Sequence, residues 1–254
     1  MQRSPSPRLF IDAPLHVAAA PYELPREAAH HLSTVLRARE GSLVTLFNGL
    51  GGEFEARLTE VRRRSVRCEI TAFHALERRS PLAVHLVQAL ARGTRMDLVM
   101  QKATELGAAS IQPLAAARSN VKLDAERADD RLAHWTRITI AACEQCGRND
   151  LPEVRPVVDL SSLLSATGQT DKADWLLFAD PEARLRISDL LRANAPAPSA
   201  IRLVIGPEGG LCAEEIEALA AANARGLSLG PRVLRTETAG LAALAALQAQ
   251  FGDL

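Results

Sequence analysis

The chain has 254 residues, 47% hydrophobic and 24% charged, with 30 basic and 30 acidic side chains; that length accommodates one or two domains and a core that needs neither disulfides nor structural metals. Aromatic residues make up only 4%, which excludes a base-stacking platform built from several exposed rings. There is no run of about 18 apolar residues to span a bilayer and no apolar secretory stretch near the N-terminus, so Cys68, Cys143, Cys146 and Cys212 read as free thiols of a cytoplasmic protein.

Charge is uneven along the chain: residues 1–80 hold 12 Lys and Arg against 9 Asp and Glu, and residues 156–254 hold 8 against 12. A helical spacing over 27–37 (EAAHHLSTVLR) comes first. The apolar run 43–47 (LVTLF) ends in Asn48-Gly49, a strong turn signal. Segments 53–61 (EFEARLTEV) and 66–73 (VRCEITAF) alternate apolar and polar residues as half-buried strands do. Between them Arg62-Arg63-Arg64 is either a phosphate contact or a solvated turn. Several short strands with one helix predict a small β-barrel domain over 1–77, and the charged stretch 77–81, ending in Pro81, reads as the linker.

From residue 82 the pattern changes. Strands are predicted over 82–90, 110–114, 175–179 and 201–205. Helices are predicted over 96–106 (stopped by Gly107), 127–146, 185–193, 213–222 and 236–251. The long helix 127–146 aligns Leu132, Trp135, Ile138 and Ala142 on one face. Alternating strands and helices predict an α/β domain with a mainly parallel sheet over 78–254.

Two loops of this half carry chemistry. Gly206-Pro207-Glu208-Gly209-Gly210 follows the apolar run 201–205, at the carboxyl end of a strand where open α/β sheets bind ligands. It lacks the Gly-Lys-Ser/Thr ending of a phosphate loop, and Glu208 repels phosphate. A carboxylate with free amides suits a cationic, phosphate-free ligand bearing adenine and ribose, and a sulfonium fits; a tight strand-to-helix turn fits the glycines as well. The second loop, 229–239 (LGPRVLRTETA), is another passage into a helix. Thr236 or Thr238 can cap that helix and Glu237 complements its dipole. Capping explains the threonines but not the Arg235-Thr236-Glu237-Thr238 cluster.

Isoleucine-Gly-Pro-Glu-Gly-Gly at 205–210, followed by Leu-Gly-x-Arg-x-Leu-Arg-x-Glu-Thr-Ala at 229–239, resembles the SPOUT superfamily of trefoil-knotted methyltransferases. Within it the chain is similar to the bacterial ribosomal RNA small subunit methyltransferase E family, through Arg8-Leu9-Phe10, Val35-Leu36-Arg37, Phe47-Asn48-Gly49, Gln101 to Gly107 and Ala142 to Arg148. Cys212 departs from the Ser or Thr usual after the glycine loop, and 177–181 falls where the family is variable.

The resemblance implies a PUA-like β-barrel before a knotted α/β domain, a homodimer through the knotted domain with the Ala/Leu-rich 240–247 as a packing seam, and S-adenosylmethionine as methyl donor to N3 of one uridine in 16S ribosomal RNA. It implies cofactor contacts from Leu177, Phe178, Ala179, Ile205, Gly206, Pro207, Glu208, Gly209, Gly210, Leu229, Gly230, Leu234, Thr236 and Thr238. Arg235 is the candidate for stabilising the uridine anion, and Glu237 or Glu208 for accepting its proton. Candidate RNA contacts are Arg8, His31, Arg37, Arg118, Lys122, Gln145 and Arg148. The alternatives are a SPOUT enzyme acting on another RNA or on a ribose 2′-oxygen, and a non-catalytic RNA-binding assembly protein.

No metal is expected, because Cys143-x-x-Cys146 lacks a second ligand pair at suitable spacing. His30-His31 beside Glu27 is too small a facet for a metal, and Lys102 with Glu105 reads as a surface ion pair.

Overall fold

A computed structural model of the chain describes residues 6–119, 128–166, 174–192 and 197–254. It divides into two compact units: 1–79 with 143–151, and 80–142 with 152–254.

The first unit is a five-stranded sheet in the order β1-β3-β4-β5-β2, from β1 (Arg8–Phe10), β2 (Ala18–Glu23), β3 (Leu43–Phe47), β4 (Glu53–Val61) and β5 (Val66–His74). The pairs are antiparallel except β1 with β3. The alternation read in β4 and β5 is real. Phe54, Ala56 and Leu58 face a core with Val66, Cys68 and Ile70 while their neighbours face out. The barrel expected here is an open order among the described residues, with β1 and β2 as its ends. Sequence periodicity missed β1 and β2. The first has only three residues, and the second is Ala-rich with Pro21, tolerable because β2 is an edge.

The helix expected over 27–37 is shorter and wider than its spacing predicts. It runs as α1 (Arg26–His30) into a π-helical turn, His31–Val35, closed by Leu36 N–H donating to His31 O at 3.0 Å. Leu32 is buried, but Val35 and Leu36 face solvent, and Arg37 ends the turn at φ 50°.

Segment 143–151 is stitched into this unit by polar contacts. Glu144 Oε1 accepts from Phe10 N–H at 2.9 Å, Arg148 O accepts from Arg8 Nη2 at 3.1 Å, and Asn149 Nδ2 donates to Leu76 O at 2.8 Å.

The second unit is a six-stranded sheet in the order β11-β9-β10-β6-β7-β8. Its strands are β6 (Ala83–Ala89), β7 (Ala108–Leu114), β8 (Glu153–Val154), β9 (Trp175–Ala179), β10 (Ala200–Ile205) and β11 (Arg225–Leu227), and every pair is parallel. Buried on both faces, β10 is a continuous apolar run rather than an alternating one. Successive residues serve opposite sides. Leu203 and Ile205 pack with Leu86, while Val204 packs with Val87 and Phe178.

One face is covered by α2 (Thr94–Glu105) and α7 (Thr236–Phe251), through Met96, Val99, Met100 and Ala103 against Ala243, Leu244 and Leu247. Trp135 of α3 (Ala128–Cys146) joins this core. The other face takes Leu160 and Leu163 of α4 (Leu160–Ala166) and Leu219 of α6 (Ala213–Ala221). The remaining helix, α5 (Ile187–Arg192), precedes β10. The sequence missed β8, α4 and β11. Two of them are strands of two and three residues, too short for a period to register.

Helix α7 is apolar around much of its circumference because it lies within the unit, with Gly240, Ala243, Leu244 and Leu247 buried there. A Cβ at Gly240 would run into Gln88 Oε1. Gly240→Ala gains up to about 1 kcal/mol of helix propensity, but overpacking costs about 1–3 kcal/mol and displaces a hydrogen-bonded amide. A net loss of stability is expected, read as a lower Tm; an unchanged or higher Tm would show that Gln88 gives way freely.

Candidate active site

The carboxyl ends of β9, β10 and β11 converge on a cavity of about 490 Å³, within the usual range for small-molecule sites. Its walls come from three loops. The end of β9 and the loop beyond it give Phe178, Ala179, Asp180, Pro181 and Glu182; the end of β10 and its loop give Ile205, Gly206, Pro207, Glu208, Gly210 and Leu211; around and beyond β11 stand Leu227, Leu229, Gly230, Arg232, Val233 and Leu234. Ile216, Thr236 and Ala239 close it from α6 and α7.

The glycine loop is held tightly. A Cβ on Gly206 would lie 3.1 Å from Leu211 Cγ and 3.2 Å from Leu211 N, so a side chain there meets backbone. Gly210 closes the turn at φ 70° and donates its N–H to Pro207 O at 2.9 Å. Glu215 ties down the start of α6: Oε2 accepts from Cys212 N–H and Oε1 from Ala117 N–H, each at 2.8 Å. Glu215 thus supplies the half of a capping box that reaches back to the N-cap N–H of Cys212.

The link between the two predicted loops is Thr236. Its hydroxyl donates to Gly206 O at 2.6 Å and accepts from Gln88 Nε2 at 2.8 Å. Gln88 is fully buried on β6. Nothing in the sequence singles it out, because a lone Gln inside an apolar strand has no motif.

Of the predicted cofactor residues, Phe178, Ala179, Ile205, Gly206, Pro207, Glu208, Gly210, Leu229, Gly230, Leu234 and Thr236 line the cavity. Leu177, Gly209 and Thr238 do not: Leu177 is in the core, Gly209 lies against Arg118, whose Nη1 donates to Gly209 O at 3.2 Å, and Thr238 is exposed. Arg232, inside the second predicted loop, also lines the cavity, as do Asp180 and Glu182, which were not among the named contacts; for these two, position just past a parallel strand was the available signal.

Of the catalytic candidates, Glu208 lines the cavity, whereas Arg235 and Glu237 are not in its lining. Arg235 is exposed at the N-cap of α7. Glu237 is buried in the first turn, and its Oε2 has no hydrogen-bond partner among the described residues. Arg95 of α2, absent from the sequence-based candidates, pairs with Glu208 Oε1 at 3.0 Å and with Glu237 Oε1 at 3.7 Å.

Three RNA candidates of the first unit fall on or near its surface. His31 lines a cleft with Arg26, Glu27, His30, Val35, Arg63 and Arg64, while Arg37 and Gln145 are exposed. Arg8 and Arg148 instead serve internal contacts: Arg8 pairs with Glu53 at 2.5 Å and stacks over Phe47, and buried Arg148 pairs with Asp150 at 2.6 Å. In the second unit Arg118 is exposed; Lys122 lies outside the described residues.

Burial pushes the Cys143 thiol up to about 12, which disfavours the thiolate that metal binding and redox chemistry need. Among the described residues no group of three or more His, Cys, Asp or Glu is placed to hold a metal, and no helix is long and apolar enough to cross a membrane.

Residues 78–248 match the model of an RNA methyltransferase domain and residues 24–71 that of an RNA methyltransferase PUA domain. The chain is 34% identical to the ribosomal RNA small subunit methyltransferase E of Bacillus subtilis, over 96% of both chains. Its fold is similar to that of a Legionella pneumophila protein solved with SAM bound (TM-score 0.91, 40% identity, covering 99% of this chain and 100% of that one). It is similar also to the ribosomal RNA small subunit methyltransferase E of Neisseria gonorrhoeae bound to S-adenosyl methionine (TM-score 0.88, 36% identity, covering 98% and 99%). This chain belongs to the RNA methyltransferase family, and within it to the ribosomal RNA small subunit methyltransferase E proteins.

Proposed function

We propose that this protein transfers a methyl group from S-adenosylmethionine to N3 of a specific uridine in 16S ribosomal RNA of the small subunit. The observation that carries the reading is the cavity at the carboxyl ends of β9, β10 and β11. Its largely apolar lining includes three carboxylates, Asp180, Glu182 and Glu208, against one cation, Arg232. That donor set suits a cationic sulfonium carrying a flat, weakly polar adenine, and it opposes a phosphate-bearing cofactor. Gly210 and Gly230, both at positive φ, add open space where a Cβ would meet no protein atom.

The loops 178–182, 205–211 and 229–234 hold the cofactor, and Thr236 keeps the last two in register. When bound, S-adenosylmethionine supplies an electrophilic methyl group. What remains for the protein is the nucleophile. Uridine N3 carries a proton and becomes reactive when it is lost. Of the two acceptors considered, Glu208 is paired with Arg95 at an exposed loop, while Glu237 has a buried oxygen with no donor among the described residues. Glu237 Oε2 is the proton acceptor in this reading, and Arg235 at the start of α7 faces the developing anion. The target base must leave any pairing that covers its Watson–Crick edge.

The reading includes a trefoil-knotted backbone in the second unit and a homodimer through it, with Ala242 and Ala246 on the outer side of α7 as seam. It assigns RNA docking to the PUA-type unit, where Arg26, Arg63 and Arg64 line a cleft and make no ion pair among the described residues. Arg8 and Arg148 then act as internal braces rather than RNA contacts, and the protein works in the cytoplasm.

Mass spectrometry of nucleosides from 16S RNA of a deletion strain should show loss of one 3-methyluridine; loss of a 2′-O-methyl nucleoside instead would overturn the assigned atom. Arg235→Ala should abolish methylation while calorimetry still detects S-adenosylmethionine; unchanged turnover removes its role. Thr236→Val leaves the Gly206 carbonyl without its hydroxyl donor and the Gln88 amide with only its longer contacts to Ala89 O and Thr236 O, at 3.4 Å, which costs about 1–3 kcal/mol for a buried polar group. Cofactor binding should weaken about tenfold, and an unaltered Kd would disprove the tether. Arg63→Glu with Arg64→Glu should weaken RNA binding and reduce the salt slope by about one for each phosphate no longer engaged; RNA affinity equal to wild type would move docking elsewhere.

A further inference from the structure

Arg95 stands on the first turn of α2 with its guanidinium between two carboxylates from distant parts of the chain. Nη1 lies 3.0 Å from Glu208 Oε1 in the glycine loop, and Nε lies 3.7 Å from Glu237 Oε1 in the first turn of α7. The two carboxylates differ in what they lack. The Glu208 side chain is 28% exposed and can be completed by water. The Glu237 side chain is 10% exposed, and its Oε2 is buried without a hydrogen-bond partner among the described residues. A buried carboxylate oxygen without a donor costs free energy unless a ligand completes it. Such an oxygen accepts an N–H, and the uracil of the proposed reaction offers one at N3.

We infer that Arg95 is a positioning residue: its guanidinium pairs with one oxygen of Glu237, at 3.7 Å, and leaves the other, buried in this structure, to accept the N3–H of the target uracil once RNA docking exposes it. The same fork ties that carboxylate to Glu208 in the cofactor wall. The acceptor and the methyl-donor pocket are thereby set against each other through one side chain. Lysine at this position would keep the charge but not the two-pronged reach, because a single ammonium is a point charge on a flexible stem. Three elements fix the arrangement independently, since Gly93 precedes α2, Pro207 stiffens the Glu208 loop and Thr236 anchors α7 to Gly206. Arg95 thus docks into a frame already built by other contacts, and its removal should disturb geometry more than folding.

The inference rests on Glu237 as proton acceptor, and a double-mutant cycle separates the two. The full-length protein and its Arg95→Ala, Arg95→Lys, Glu237→Gln and Arg95→Ala/Glu237→Gln variants are measured for kcat and KM with 16S RNA substrate. Each is also measured for S-adenosylmethionine affinity by calorimetry and for Tm. Arg95→Ala should lower kcat about 100-fold, the size expected from misplacing a catalytic group by about an ångström, with the RNA KM and the cofactor Kd within about threefold of wild type. Arg95→Lys should recover part of the loss. Adding Glu237→Gln to Arg95→Ala should cost far less than it does in the wild-type background, since both act on the same proton.

Losses that multiply, or an unchanged kcat in Arg95→Ala while Glu237→Gln is inactive, overturn the role of Arg95 alone. A raised, salt-sensitive RNA KM at constant kcat also overturns it, making Arg95 a phosphate contact. Full activity of Glu237→Gln by itself overturns the acceptor assignment, and this inference with it.

Discussion

The site depends on one buried hydroxyl. Thr236 accepts from Gln88 in the middle of the sheet and donates to the Gly206 carbonyl at the end of β10. It therefore joins β6, the glycine loop and the first turn of α7. A polar group placed this deep is costly unless both its donor and its acceptor capacities are used, and here both are. The direction of each bond is fixed: the Thr236 proton goes to a carbonyl, so the Gln88 amide must present its N–H. Loops 205–211 and 229–234 line a common cavity, and this contact ties the first of them to the helix into which the second leads.

Around that tether the charge is arranged in two different ways. In the second unit the carboxylates Asp180, Glu182 and Glu208 line one cavity together with Arg232, and Arg95 pairs with Glu208. In the first unit two sets of arginines contrast. Arg8 and Arg148 are held by Glu53 and Asp150 inside the unit, where a broken pair leaves a buried charge and costs several kcal/mol. Arg26, Arg63 and Arg64 remain around a surface cleft with His30 and His31. A short segment from far along the chain, 143–151, completes the first unit through Glu144, Arg148 and Asn149. Burial raises the Glu144 carboxyl above its ordinary range, against the opposing effects of the Phe10 N–H and His31.

The π-helical turn at His31–Val35 shapes one wall of that cleft. Ser33 Oγ reaches Arg63 O at 3.4 Å, so the turn and the β4–β5 connection meet. The wider winding buries Leu32 while Val35 and Leu36 stay in solvent. Val35 shares the cleft with Arg26, Arg63, Arg64 and Glu27.

The sequence by itself determined the elements whose period or punctuation is long enough to read. These are the alternation of β4 and β5, the apolar run of β10, the span of α7, and both glycine-containing loops that line the cavity. It also carried the family, because the 205–210 and 229–239 motifs are local strings. It could not reveal what depends on residues far apart meeting. Gln88, Arg95 and Glu215 have no motif, and each acquires meaning only from a partner found elsewhere: Thr236, Glu237 and Ala117. The same holds for Arg8 and Arg148, which the sequence presents as free cations and the fold commits to carboxylates. Charge and hydrogen-bonding capacity are written in the sequence, but whether they are used inside the protein or left for a ligand is decided by which groups the tertiary structure brings within about 3 Å of each other.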